Sequence, residues 1–154
     1  GKPKLVGFLT GAVAGLATIT PAAGYVSIQS AALIGIIASF VCYFVVLLVR
    51  RYLDDALDVF GVHGVGGITG SILVGVFASA TWNANGPDGL LEGNGMQIIK
   101  QITAVVFTSV WSFIFTLAIL WLINKFTVVK VDQNKVGGEL DNTLFGEDAY
   151  SEKN

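Results

Sequence analysis

Long apolar stretches alternate with shorter polar segments along the 154-residue chain. Four of these stretches have the length of a membrane-spanning helix, and they lie at residues 5–22, 26–49, 57–80 and 98–123. A helix needs about 20 mostly apolar residues to cross a hydrocarbon core about 30 Å thick. The pattern therefore predicts an all-α integral membrane protein with four transmembrane helices.

The composition agrees with a membrane setting. Hydrophobic residues make up 53% of the chain and charged residues only 13%, and the mean hydropathy is +0.70. Soluble domains carry about 25% charged residues, so this chain has too few to cover a surface that faces water. The single cysteine, Cys42, has no partner for an internal disulfide, and we interpret it as a small core residue.

The basic residues predict how the chain crosses the membrane. Four crossings return it to the side on which it starts, and most of its Lys and Arg residues fall on that side. The loop at residues 81–97, on the other side, carries Asp88 and Glu92 but no Lys or Arg. Positive charge marks the cytoplasmic side. We therefore expect a multi-pass protein of the plasma (inner) membrane with both ends of this segment in the cytoplasm.

The only histidine of the chain, His63, lies within the third apolar stretch. A charged side chain at that depth costs about 2.5–3.5 kcal/mol on insertion scales, so ionisable residues inside membranes usually have a function. A structural alternative is a core histidine whose ring bonds a backbone carbonyl group. For His63 we favour the functional interpretation, in which the imidazole lines a narrow passage.

Glycines follow His63 closely, at Gly64, Gly66, Gly67 and Gly70. In a regular helix the last three share a face with His63. Small residues allow two membrane helices to approach closely. We interpret these four glycines as packing positions of the helix that carries His63.

Proline and aspartate residues mark the ends of two predicted helices. Pro21 cannot continue the hydrogen-bond ladder, and it is followed by Gly24, so the first helix should end there. Asp54, Asp55 and Asp58 precede or open the third helix, where carboxylates can accept its free N–H groups. For Asp58 we predict a capping role, and the alternative is a proton relay to His63.

Several segments together resemble the ammonium transporter family (the Amt/Mep/Rh group), specifically its C-terminal portion. They are GKP at residues 1–3, GAVAGLATITPAAGY at 11–25, DDALDVFGVHGVGGITG at 54–70, VWS at 110–112 and GEDAY at 146–150. The resemblance covers nearly the whole chain in the correct order. DVFGVHG between the ITPAAGY helix and this tail is its most specific part.

This resemblance implies a fold and a mechanism. The family has eleven membrane helices, with two inverted five-helix repeats, and assembles as homotrimers with a pore in each subunit. The chain would supply helices eight to eleven, so we expect it to be a part of a longer transporter whose N-terminal half is missing. Ammonium is recruited at the outer face, loses its proton and passes a pore with two histidines. His63 matches the second of that pair.

The resemblance also implies a role for the tail. Residues 1–127 form the predicted transmembrane part, and residues 128–154 form a cytoplasmic regulatory segment. In the family this segment couples subunits and, in many bacteria, the cytoplasmic surface also meets a PII-type signalling protein. Asp141, Gly146, Glu147 and Tyr150 fit the family pattern, while Glu139 and Phe145 depart from it.

The function favoured by these features is ammonium transport, with ammonium or ammonia and the lipid bilayer as partners. The alternative is an ammonium sensor that keeps the binding site and signals through its tail. An enzyme is not expected, because one His, one Cys and no clustered carboxylates within the spans provide neither metal ligands nor a catalytic pair. No cofactor, metal or nucleic acid is expected.

Overall fold

The computed structural model describes residues 5–53, 55 and 57–129 of the chain. Helix α1 covers Leu5–Ile19 and α2 covers Ile28–Val49. A π-helical turn at Phe60–Gly64 leads into α3, Val65–Phe77, and α4 covers Met96–Ile123. Short 3₁₀ turns occupy Thr20–Ala22 and Leu90–Glu92. No strand occurs in the described part of the chain, and the all-α prediction is confirmed.

Four helical segments are long and apolar enough to cross a membrane, as predicted. They are Leu5–Ala22, Ile28–Val49, Phe60–Phe77 and Met96–Ile123. The third is shorter than the predicted range of 57–80. Its start is delayed because Asp58 has a left-handed backbone with φ 55°, and its end comes early because Ala78 is extended.

The chain divides into two compact units, Gly1–Ser109 and Val110–Asn154. In the first unit, α1, α2 and α3 pack against one another. One core cluster is formed by Ala22, Ile34, Val74 and Ala78, and a second by Ala14, Cys42 and Val62. Most of these side chains are small, which lets the three helix backbones approach closely.

The connection between α1 and α2 is short and uses turn residues. The α-helix gives way to the 3₁₀ turn that contains Pro21, and Gly24 follows with φ 82°. Ser27 then caps α2, since its hydroxyl oxygen accepts a hydrogen bond of 3.0 Å from the Ser30 amide. Pro21 thus lies at the end of the first span, in the position where the sequence predicts the helix to stop.

The loop between α3 and α4 is held by its own polar groups. The carboxylate of Asp88 accepts a hydrogen bond of 2.7 Å from the amide of Ala80, and the side-chain amide of Asn94 donates to the Asp88 carbonyl oxygen at 3.0 Å. The amide of Ser79 donates to the carbonyl oxygen of Tyr25 at 3.0 Å. This loop is therefore tied both to itself and to the α1–α2 connection.

The second unit contains the C-terminal half of α4 and the turn that follows it. Here the rings of Trp111 and Phe115 stack with centroids 4.3 Å apart. The Lys125 Nζ atom lies 3.7 Å from the centroid of the Trp121 ring, a cation–π arrangement. Residues 130–154, with most of the predicted regulatory tail and its residues Asp141, Gly146, Glu147 and Tyr150, lie outside the described residues.

Candidate site around His63

An ion pair joins the end of α2 to the segment that precedes His63. The Nε and Nη2 atoms of Arg50 donate to the two carboxylate oxygens of Asp58, at 2.7 and 2.5 Å. Asp58 is only 5% exposed. The hydrogen bonds and the negative charge of Asp58 raise the pKa of Arg50 above its ordinary value. Arg50 therefore keeps its charge at any physiological pH.

The carboxylate that caps the third helix is that of Asp55. Its oxygens accept hydrogen bonds from the backbone amides of Val59, Phe60 and Gly61, at 2.8, 3.0 and 3.4 Å. The first amides of a helix have no partner within the helix, so this arrangement satisfies three of them. The predicted cap Asp58 directs both carboxylate oxygens to Arg50 instead, and Asp54 lies outside the described residues.

His63 lies on the π-helical turn that connects this cap to α3. The amide of Val65 donates to the carbonyl oxygen of Phe60, five residues earlier, rather than to the fourth residue as in an α-helix. Such a turn accommodates one extra residue and therefore changes the direction of the side chains before it. Such π turns are rare, and where they interrupt an α-helix they are frequently found at functional sites.

One side of the π turn is packed and the other is open. A Cβ atom on Gly61 would lie 2.5 Å from Val46 Cγ2, so only glycine allows the turn to approach α2 this closely. Val62 is 3% exposed and packs with Ala14 and Cys42. His63 is exposed, and none of the described residues forms a hydrogen bond with its ring.

The glycines after His63 divide between two surroundings. Gly66 and Gly70 face Thr18 of α1, where a Cβ atom on Gly66 would lie 2.9 Å from Thr18 Oγ1. A Cβ atom on Gly67 would meet no atom within 4 Å. A regular helix would place His63, Gly66, Gly67 and Gly70 on one face. In the structure Gly66 and Gly70 pack against α1, whereas His63 is exposed and Gly67 has open space beside it. All three glycines lie in α3, so Gly67 is separated from Gly66 and Gly70 by the position of Thr18 on α1. The π turn interrupts the 3.6-residue repeat only between His63 and α3.

Two cavities lie near this region within the first unit. A groove of about 230 Å³ separates α3 from the first half of α4, and Gly64, Gly67, Ser71, Gln101, Thr108 and Ser109 are among its lining residues. A larger, mostly apolar groove of about 760 Å³ lies between α1 and α2 and ends at Arg50 and Asp58. His63 lines neither groove.

The available chemistry is that of a single imidazole beside apolar surface. A neutral imidazole has one donor and one acceptor nitrogen, so the ring can donate one hydrogen bond and accept another. No group of three or more His, Cys, Asp or Glu side chains that could hold a metal ion occurs among the described residues. The arrangement fits hydrogen bonding to a small polar solute.

Two residues of this site carry weaker signals in the sequence. In the sequence, Arg50 is only one of the basic residues that indicate the cytoplasmic side, yet in the structure it is the partner of a buried carboxylate. Asp55 is one of three aspartates that the sequence does not distinguish. The position of Asp58 close to the membrane could have indicated such a partner in the sequence. A buried carboxylate needs a cation or several hydrogen-bond donors to remain charged.

Comparison with known proteins defines the class. The sequence profile of the Ammonium Transporter Family matches residues 1–150, so the chain belongs to this family of membrane transport proteins. It is 47% identical over 153 residues to the ammonium transporter of Aquifex aeolicus and 41% identical over 153 residues to that of Bacillus subtilis. In both cases 98% of this chain is covered.

Solved structures show the same fold. A crystal structure of Mep2 from Candida albicans matches 88% of this chain with a TM-score of 0.79 and 33% identity. Mep2 from Saccharomyces cerevisiae matches 87% with a TM-score of 0.78 and 32% identity. The chain spans 36% of the Aquifex aeolicus relative and 31% of the Candida albicans chain, so it corresponds to about a third of each.

Proposed function

We propose that this chain is the C-terminal part of an ammonium transporter in which His63 lines the conduction path. The single observation that carries the proposal is an exposed histidine on a π turn within a membrane-spanning segment, in a chain that belongs to the ammonium transporter family. An imidazole in hydrocarbon needs a polar partner. A solute that passes the ring would provide that partner.

The physical problem of ammonium transport explains why an imidazole is useful there. Moving a bare cation into an apolar pore costs far more free energy than moving neutral ammonia. A pore of this kind must therefore separate the amine from its proton or stabilise the ion on the way. The His63 ring can accept a proton through one nitrogen and donate a hydrogen bond through the other.

The missing parts of the transporter belong to the same proposal. The remaining helices, with a second histidine, would complete the path. Homotrimer assembly, a plasma-membrane location with both ends of the segment in the cytoplasm, and regulation of the tail by a PII-type protein are proposed from the family resemblance. The relatives named above are called ammonium transporters, which favours transport over a purely sensory role.

The test is ammonium-induced current in proteoliposomes that contain the full-length protein. Wild type, His63→Ala and the control Thr103→Val are compared, because Thr103 is a membrane-embedded polar residue on α4 and is remote in sequence from the site. Current that is lost or no longer selective against potassium only in His63→Ala supports the proposal. Unchanged selective transport in His63→Ala contradicts the proposed role of the histidine.

A wild type without current requires one more measurement. Ammonia uptake without charge movement would indicate electroneutral transport through the same path. Ammonium binding without any uptake would identify the alternative, a sensor that shares the fold and signals through its tail. The binding and uptake assays together therefore decide between these two outcomes.

A further inference from the structure

We propose that Arg50 and Asp58 form a positioning pair that sets the direction of His63, an inference that rests on the proposed role of this histidine. The pair lies outside the α-helical part of the third span. Its function would be to hold the π turn in register, so that position 62 is buried and position 63 is exposed.

The π turn is a conformation that requires support. Its hydrogen-bonding pattern is rare compared with that of the α-helix. Asp58, two residues before the π turn begins at Phe60, has a left-handed backbone with φ 55°, which costs free energy for a residue other than glycine. Uncommon conformations of this kind persist only where the surrounding structure determines them. Two of them occur within seven positions of the chain, from Asp58 to Gly64.

The support at Asp58 comes from another helix. Arg50 directly follows α2, and its guanidinium group binds both oxygens of the buried carboxylate in a two-point arrangement. Two parallel hydrogen bonds fix orientation as well as distance, which one ammonium group does not do. The ion pair therefore ties the start of the π turn to a fixed point at the end of α2.

The remaining contacts lie on the same side of the turn. Gly61 approaches Val46 of α2, and Val62 packs with Ala14 and Cys42. If the turn relaxed into a regular α-helix, the residues before Gly64 would rotate by up to about 100°, the rotation of one residue in an α-helix. Val62 would then turn partly away from Ala14 and Cys42, and the difference in exposure between positions 62 and 63 would be lost. The ion pair between Arg50 and Asp58 opposes this rotation because it holds the backbone in place just before the π turn.

Cysteine labelling measures the register directly. In the full-length protein with Cys42→Ala and other reactive cysteines removed, Val62→Cys and His63→Cys are each treated with a small cationic methanethiosulfonate reagent. We expect rapid labelling at position 63 and protection at position 62. In combination with Arg50→Gln or Asp58→Asn this contrast should largely disappear. The matched control Arg51→Gln, at a neighbouring arginine without an ion pair to a described residue, should preserve it.

Transport by variants that retain His63 provides the second measurement. Arg50→Gln and Asp58→Asn should each lower selective ammonium transport by about tenfold or more, since a displacement near 1 Å can reduce a rate a hundredfold. The double variant should be no worse than either single one, because the two residues act as a unit. Arg50→Lys should restore part of the labelling contrast and part of the transport.

The outcomes separate this inference from the proposed function. Wild-type labelling contrast in Arg50→Gln and Asp58→Asn overturns the positioning role, whatever the transport data are. Unchanged transport in His63→Ala contradicts the proposed function but leaves the labelling result valid. If the Gln and Asn variants do not reach the membrane, Arg50→Lys decides, and wild-type contrast together with wild-type transport in that variant overturns the inference.

Discussion

The α-carbon of Gly70 in α3 lies directly against the carbonyl group of Thr18 in α1. A Cβ atom at position 70 would overlap the Thr18 carbonyl oxygen and would also lie 3.3 Å from Pro21 Cδ. Because the overlapping atom belongs to the backbone, no side-chain rotation can relieve the contact. The α1–α3 interface therefore depends on glycine at this position.

We expect Gly70→Ala to destabilise the membrane part strongly. Overpacking a tight core typically costs about 1–3 kcal/mol, and a rigid backbone neighbour places this case at the upper end. The measurement is the thermal midpoint of the purified full-length protein in detergent. Gly67→Ala is the matched control, because a Cβ atom at position 67 would have no described atom within 4 Å. Equal midpoints for the two variants would contradict the close approach of α1 and α3.

Removing the cap of the third helix should loosen its first turn. Asp55→Ala deprives the amides of Val59, Phe60 and Gly61 of their acceptor, and loss of a cap costs about 1 kcal/mol. Hydrogen exchange followed by mass spectrometry should show faster exchange in a peptide that covers these amides. Asp55→Asn keeps one acceptor oxygen and should fall between wild type and Asp55→Ala. Identical exchange in all three proteins would show that the carboxylate is not the cap in solution.

The side chain of His63 should matter for selectivity and not for stability. Within the described part of the chain the ring is exposed and forms no hydrogen bond, so His63→Ala leaves both core clusters between α1, α2 and α3 intact. We expect an unchanged thermal midpoint and unchanged assembly of the proposed homotrimer in detergent, while the ratio of ammonium to potassium transport decreases. A variant that loses its assembly would instead point to a structural role for the imidazole.

Deletion of residues 135–154 tests the proposed regulatory tail. If this segment couples subunits, its removal should lower transport while the thermal midpoint of the membrane part stays the same. A point variant inside the segment, Tyr150→Ala, distinguishes a specific contact from the loss of the whole segment. Wild-type transport by the deleted protein would show that the tail is dispensable.

The helices could be predicted from the sequence because hydropathy alone determines them. Runs of about 20 apolar residues are stable in a bilayer only as helices or closed barrels, and these runs have helical length. The prediction of four spans is therefore confirmed with small differences at the ends. The end of the first helix at Pro21 could also be predicted, since proline lacks the backbone N–H group that the helix needs.

The local geometry around His63 could not be obtained in the same way. A helical repeat assigns side-chain directions only while the repeat is unbroken, and the π turn at Phe60–Gly64 breaks it. The two aspartates Asp55 and Asp58 have the same chemistry, and only the fold assigns one to backbone amides and the other to Arg50. The separation of Gly66 and Gly70 from Gly67 likewise follows from the position of Thr18 on another helix.

The helices differ in how they can enter the bilayer while the protein is being synthesised. The segment Met96–Ile123 has 28 residues, and its most apolar stretch of 18 residues has a mean hydropathy of 2.2, so it partitions readily into lipid. The segment Phe60–Phe77 has 18 residues and a mean hydropathy of 1.6, and it carries His63 and several glycines. It gains less from the lipid, and more from the close approach of α1 and α2. We therefore expect its insertion to be favoured once those two helices are already in the bilayer.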